Sequence, residues 1–290
     1  MKNWLVIIGI IFLVCIAEWM REIFTFRVTC YDIFSEKLNS MGKSRKIVFL
    51  SDLHNNLYGK DNKRLLEAIR LQKPDYILIG GDMLVGKPEL PYQIAEKFVS
   101  ALTKICPVYY ANGNHEQRMK IYLEKFGTKF AEYKKNLEMQ GVHFLENDYI
   151  DLIFDECPVR ITGLEIPRKG YKKFKKTELH LKEVESCIGK CEQSVYQILL
   201  AHNPIYTNTY LEWGADLILS GHLHGGVVRI PGIGGIITPQ FGMFPKYSGE
   251  HTLIDGKSVV VSKGLGTHTI KIRFLNPAEI VVLNLNGKDK

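Results

Sequence analysis

The chain has 290 residues, 46% of them hydrophobic and 24% charged, which is enough for one large core and fits a single mixed α/β domain behind a short anchor. Its formal net charge of +7 favours anionic company, whether a phosphorylated substrate, acidic lipid or nucleic acid. The six cysteines (Cys15, Cys30, Cys106, Cys157, Cys187 and Cys191) show no paired spacing with histidines, which argues against a structural zinc knuckle and reads them as free thiols.

Trp4 to Ala17 is continuously apolar and follows Lys2, and the run extends through Trp19 and Met20 with Glu18 as its one charge. A helix taken to Met20 would span about 25 Å, slightly under the ~30 Å hydrocarbon core of a bilayer, with Trp4 and Trp19 placed for its interfaces. Ile16-Ala17-Glu18-Trp19 lacks the small-residue pattern of a cleavage site, so an uncleaved anchor is the preferred reading. Lys2, Arg21 and Arg27 flank both ends, and the orientation leans to a signal anchor with the domain on the extracytoplasmic face of the cell membrane.

Phe24, Phe26, Val28 and Cys30 alternate with polar neighbours, as in a half-buried strand. Lys46–Leu50 reads as a fully buried strand, Asp61–Gln72 as a helix ended by Lys73-Pro74, Tyr76–Ile79 as a strand, Tyr92–Leu102 as a helix and Pro107–Ala111 as a strand. That alternation predicts βαβ units on a parallel sheet. Gln117–Gln140 reads as helix, and Val142–Leu145, the pair Ile150–Phe154 and Val159–Leu164, Tyr196–Leu200, Leu217–Leu219, Ser258–Val261 and Glu279–Leu285 read as strands. So many strands in the second half predict a second sheet packed on the first with helices outside. Arg229–Tyr247, rich in glycine and proline, reads as a long shaped loop. The basic run Arg168–Lys176, with Tyr171 and Phe174 inside it, reads as a solvated arm, with contact to anionic lipid headgroups as the alternative.

Five polar clusters each follow an apolar run: Ser51–His54, Gly80–Asp82, Gly113–Glu116, Ala201–Pro204 and Gly221–His224. In an extended segment Asp52 and His54 would project the same way, and His222 and His224 repeat that spacing. Glycine immediately before Asp82, Asn114 and His222 lets the chain turn sharply as it leaves a strand. Ligands beyond the carboxyl ends of strands are the rule in open α/β sheets. Imidazole, carboxylate and carboxamide without thiolate suit manganese, iron or zinc. His143, His180, His251 and His268 read as packed or surface residues, with His268, after Gly264-Leu265-Gly266, the one placed to approach the site.

From about Lys46 to the C-terminus, the order and residue types of these clusters resemble the calcineurin-like metallophosphoesterase family. The anchored N-terminus and the sequences Tyr109–Glu116, Gly221–Gly226 and Phe244–Tyr247 look like its transmembrane branch, which is similar to enzymes cleaving the pyrophosphate of UDP-diacylglucosamine and to broader phosphodiesterases. The resemblance implies an α/β (α+β) fold, a four-layer αββα sandwich of two mixed sheets. It divides the chain into an anchor (1–22), a linker with the first strand (23–45) and a catalytic domain (46–290). It implies two divalent metal ions, with Asp52, His54 and His224 holding the first, Asn114, His202 and His222 the second, and Asp82 bridging them. The implied reaction is hydrolysis of a phosphoester or pyrophosphate by a hydroxide held between the ions. His115 would serve the leaving oxygen. Read from their positions beside the clusters, Glu116 either orients His115 or begins the next helix, and Arg118 and Arg229 are candidate phosphate-binding residues with an ordinary surface or structural role as the alternative. The expected partners are a phosphorylated substrate, with a lipid-linked one as candidate, and the membrane. A nuclease or cyclic-nucleotide phosphodiesterase is the alternative that the basic run supports and a membrane tether disfavours. A non-catalytic metal-binding scaffold is the other, which a missing ligand would favour.

Overall fold

The computed structural model describes residues 2–172, 177–226, 229–230, 234–236, 245–267 and 272–288. Lys173 to Lys176, Phe244 and His268 of the sequence reading lie outside the described residues.

Two six-stranded mixed sheets stack face to face. Numbered in chain order, the first holds β1 (Phe26–Ser35), β2 (Arg45–Leu50), β3 (Tyr76–Ile79), β4 (Val108–Tyr110), β5 (Val142–Phe144) and β14 (Ala278–Gly287), in the spatial order β1-β14-β2-β3-β4-β5. The second holds β6 (Asp148–Phe154), β7 (Cys157–Leu164), β8 (Tyr196–Ala201), β9 (Leu217–Ser220), β12 (Glu250–Ile254) and β13 (Lys257–Val261), in the order β12-β13-β9-β8-β7-β6. A two-stranded ribbon, β10 (Arg229–Ile230) with β11 (Gly234–Gly235), stands apart.

Strand periodicity builds the layers. Along β2, Ile47 and Phe49 enter the core between the sheets, while Val48 and Leu50 face the core beneath the outer helices. Strand β8 does the same, sending Ile198 and Leu200 inward and Leu199 and Ala201 outward. Both faces are therefore covered, which is why these strands read as unbroken apolar runs. The helices α2 (Lys63–Leu71), α3 (Gln93–Leu102), α4 (Asn114–Ile121), α5 (Leu123–Phe126) and α6 (Lys129–Met139) cover the first sheet, with Leu65 and Ile69 one turn apart on the buried face of α2. The helices α7 (Leu181–Ile188) and α8 (Thr207–Trp213) cover the second. The result is the expected αββα sandwich of two mixed sheets, preceded by the apolar helix α1 (Lys2–Phe24).

Two local expectations change. The stretch 117–140 is not one helix: it begins earlier, at Asn114, and breaks at Tyr122 (φ −97°, ψ 67°) and again at Gly127 (φ 55°). The alternation of β1 is real, but its buried side carries Thr29, Tyr31 and Ile33 while Val28 and Cys30 face out. Tyr31 and Ile33 meet the inter-sheet core and Thr29 donates to Glu279, so contact with β14 and the second sheet outweighs the hydropathy of the other face. Finally, the last strand inserts between β1 and β2, parallel to one and antiparallel to the other.

Candidate metal centre

Strands β2, β3 and β4 run parallel, and the clusters bearing Asp52, His54, Asp82 and Asn114 follow their carboxyl ends. Parallel strands β8 and β9 deliver His202, His222 and His224 to the same place from the other sheet. Three triplets have their candidate donor atoms within 4.8 Å of one another: Asp52, His54 and His224; His54, Asp82 and His115; Asp82, His202 and His222. The first triplet holds the three residues that the family resemblance assigns to one ion, and the third joins two of those assigned to the other, His202 and His222, to Asp82, whose Oδ2 is 3.8 Å from His54 Nε2 and 3.2 Å from His202 Nε2.

The backbone reaches this arrangement by a route different from the expected alternation in extended chain. Asp52, His54, Asp82, His222 and His224 all have positive φ (48° to 68°), so the paired residues converge through left-handed turns. Non-glycine residues avoid that region unless their surroundings hold them there, and such strain concentrates at functional sites. The glycines matter less for φ than for room. A Cβ on Gly113 would collide with Asp82, and one on Gly221 with Ser51 and Asp52, so each lets two ligand-bearing loops touch.

Hydrogen bonds fix how the rings present themselves. His202 Nδ1 is 2.6 Å from the Gly80 carbonyl oxygen and His224 Nδ1 is 3.2 Å from that of Gly266. A carbonyl only accepts, so each ring donates there and turns Nε2 inward as an acceptor. His54 Nε2 and His224 Nε2 then meet at 3.1 Å, with Asp52 Oδ1 3.7 and 3.4 Å away. His115 is held the opposite way. The Gly86 amide donates to its Nδ1 at 2.7 Å, leaving the proton on Nε2, 3.9 Å from Asp82 Oδ2.

The donor set fits divalent cations. Among the described residues, Asn114 Oδ1 is buried with no hydrogen-bond partner, and His202 Nε2 makes no well-directed hydrogen bond although Asp82 Oδ2 is close. Burial opposes the charge on Asp52 and Asp82, but neighbouring imidazoles outweigh it, His224 and His202 at Asp52, His202 and His115 at Asp82, and both carboxyls stay well below their ordinary range. Burial opposes the charge on His202 too, yet Asp82 and Asp52 push its pKa up to about 10. An imidazole held protonated by clustered carboxylates is a group from which a cation displaces the proton.

Glu116 does not orient His115 directly. Its Oε2 accepts from the amides of Asp82 (2.8 Å) and Gly113 (3.1 Å), and its Oε1 from the Met83 amide (2.9 Å) and the Tyr110 hydroxyl (2.7 Å). It therefore locks the loop of Asp82 to the start of α4. The cluster Gly113–Glu116 signalled it only as a helix N-terminus with a carboxylate at the third position. The described part of the basic run is also no free arm: Arg168 donates to the Asn114 carbonyl at 3.1 Å, and the Tyr171 ring stands 5.3 Å from that of His222. No spacing in the sequence signals that contact.

The two candidate phosphate-binding arginines separate. Arg118 is half-buried beside Arg168, and burial first, then that neighbouring charge, lowers its pKa. Arg229 is buried, with Nη1 donating to Gly225 O (2.8 Å) and Ser248 Oγ (3.4 Å) and Nη2 to Gly249 O and Glu250. Both terminal nitrogens of its fork brace the loop after His224.

A sequence model of the family described as calcineurin-like phosphoesterase matches residues 45–226. The chain is similar to the uncharacterized metallophosphoesterase YkuE of Bacillus subtilis (strain 168), with 29% identity over 252 residues that cover 83% of this chain and 79% of the relative. It is also similar to the phosphodiesterase YaeI of Escherichia coli (strain K12), with 28% identity over 203 residues covering 67% and 66%. Among solved structures, a phosphopantetheinyl hydrolase from Mycobacterium tuberculosis has a TM-score of 0.50 at 13% identity, covering 80% of this chain and 96% of that one, a likeness of fold.

Proposed function

The chain belongs to the calcineurin-like phosphoesterase family, and from that membership we propose that it is a membrane-anchored hydrolase of lipid-linked phosphoesters or pyrophosphates. The observation that carries the catalytic reading is the pair of ligand groups on either side of Asp82, completed by the unpaired Asn114 Oδ1. In this reading Asp52, His54 and His224 would hold one cation and Asn114, His202 and His222 the other, with Asp82 contributing to both. Manganese, iron and zinc all suit those donors. Two such cations polarise phosphoryl oxygens and make a hydroxide nucleophile available at neutral pH.

The protein's own groups supply the rest. His115, with its proton on Nε2, donates it to the leaving oxygen, and the Gly86 amide keeps the ring in that tautomer. Arg118, half-buried with Arg168 beside it, would take a non-bridging phosphate oxygen. Glu116 keeps the Asp82 loop in register with Asn114 and His115.

Anchoring rests on α1. Its span Trp4–Phe24 contains an 18-residue window of mean hydropathy 2.1, none of which is buried by the protein. Such a stripe suits hydrocarbon far better than water. We read 1–22 as the anchor and 46–290 as the catalytic body, with β1 of 23–45 built into its first sheet as the edge strand. Intact-mass measurement of membrane-extracted protein distinguishes an anchor from a cleaved signal.

The activity test compares p-nitrophenyl phosphate and bis-p-nitrophenyl phosphate with Mn²⁺ for the wild type, Asp82→Ala and His115→Ala. Hydrolysis that both substitutions abolish or cut severely is expected. A wild type inert across several metals, or variants as active as wild type, would remove the assignment. Faster turnover of the diester would favour the phosphodiesterase form of the reading.

A further inference from the structure

The anchor and the ligand clusters leave the two sheets at the same end. Strand β14 runs antiparallel to β2 with Val281 opposite Phe49, so it begins where β2 ends, beside Asp52. Strand β1 is parallel to β14 with Phe26 opposite Ala278, so α1 joins the fold at that same end. The junction is tight. The buried Glu22 carboxylate accepts from the Asn276 amide at 2.9 Å, Arg64 donates to the Phe24 carbonyl at 3.3 Å, and the Phe26 ring stands edge-on to Tyr58 at 5.0 Å. Asn276 in turn donates through Nδ2 to the carbonyls of His224 and Gly226. The last turn of the apolar helix is thus one residue removed from the loop that carries a candidate ligand.

Around that junction the surface is apolar and basic. Leu57, Ile230, Ile272 and Leu275 are between 41% and 48% exposed there. Leu57 precedes Tyr58, Leu275 precedes Asn276, and Ile230 follows Arg229, whose amide donates to the Phe274 carbonyl. Lys60, at the start of a short 3-10 helix, and Lys172 stand exposed at the same end. Apolar side chains beside basic ones at the root of a bilayer-spanning helix match the chemistry of an anionic lipid surface.

We propose that this end of the protein is seated on the bilayer that holds α1, so that the two ligand groups face the headgroup layer and take a phosphate presented by a membrane-resident lipid. This rests on the anchoring proposed above and extends it: a tether alone allows the catalytic body to turn away from the membrane, whereas the Glu22–Asn276 junction fixes which end looks at it. The far end is the control. It also exposes large apolar residues, Ile153 at 74% and Leu253 at 65%, on the β6–β7 and β12–β13 hairpins, but no helix roots there.

The test uses the full chain reconstituted into phosphatidylethanolamine–phosphatidylglycerol vesicles with and without lipids brominated near the headgroup end of the acyl chain. Leu57→Trp and Ile272→Trp are made separately, so that a misfolded variant leaves the other informative, and Ile153→Trp and Leu253→Trp serve as far-end partners. Seating predicts that the fluorescence added by Trp at 57 or 272 is quenched by about half, as for a side chain ~5–10 Å into the interface, and that added at 153 or 253 hardly at all. Equal quenching at both ends, or none at 57 and 272, overturns the seating. A blue-shifted but unquenched signal at 57 and 272 also overturns it, because a second copy of the chain would then cover that face. Alkaline carbonate extraction is run on the same vesicles. Release of the full chain would overturn the anchoring as well, whereas retention with unquenched labels overturns the seating alone.

Discussion

Asn276 offers the sharpest mutational handle on the site without touching a candidate ligand. Its side-chain amide donates to the carbonyls of His224 (2.7 Å) and Gly226 (2.5 Å), and the residue is fully buried. In Asn276→Ala both carbonyls lose their donor inside the protein. At ~1–3 kcal/mol for each buried group left unsatisfied, less what an entering water restores, the loss is about 2–4 kcal/mol. For a chain of this size that lowers Tm by about 5–15 °C. The left-handed turn of His224 (φ 51°) loses part of what holds it, so affinity for Mn²⁺ falls by about 10–100-fold, the range typical of residues that orient a metal ligand. Asn276→Asp, which sets a carboxylate oxygen against the same two carbonyls, does worse than alanine. The assay is thermal unfolding of the detergent-solubilised full chain together with a Mn²⁺ titration. A Tm and an affinity both unchanged in Asn276→Ala would refute the claim that this residue positions His224.

His115→Ala cuts kcat by about 10²–10⁴-fold while bound metal stays the same, because the ring is placed to move a proton; loss of metal instead would make it a ligand. Arg118→Gln raises KM for the ester with little change in Tm, and Arg229→Gln does the reverse, since only the second guanidinium is engaged in bracing a loop; the opposite pattern would exchange their roles. Glu146→Gln tests a charge network away from the metals. Burial works against the Glu146 carboxylate, but the hydrogen bond from Lys134 (2.6 Å), the charges of Lys120 and Lys134 and the Asn112 amide outweigh it and hold its pKa below 4.5. A depressed carboxyl pKa contributes stability above the unfolded value and loses it as pH falls through the folded one. The variant is therefore less stable than wild type by about 1–3 kcal/mol at pH 7, and the gap closes as pH drops below about 4.5; a gap constant across that range would rule the network out as its source.

Much of this molecule was legible before folding because its chemistry follows its strands. Runs such as Lys46–Leu50 and Leu217–Leu219 are covered on both faces, so they stand out as apolar blocks, and the polar residues directly after them are the ones a parallel sheet gathers at one edge. What stayed hidden depends on contacts between distant segments. The left-handed turns at Asp52 and His224 leave no mark in composition, since both residue types are common in ordinary loops. Glu116 looks like any early helical acid until the amide of Asp82 arrives 2.8 Å away. Arg168 and Tyr171 sit in a run whose charge predicts solvent, yet the first holds a carbonyl of α4 and the second a histidine ring. The buried face of β1 was misleading for the same reason, as Thr29 is drawn inward by Glu279, 250 residues away in the chain.

The central claim is that two cation sites share Asp82. Its most direct measurement is the number of divalent ions bound per chain, by elemental analysis of the full-length protein equilibrated with Mn²⁺, beside Asp82→Ala and His202→Ala. The structure predicts two ions per wild-type chain, one or fewer in His202→Ala and loss at both positions in Asp82→Ala. A wild-type chain that binds none, or keeps its full complement without Asp82, would contradict it.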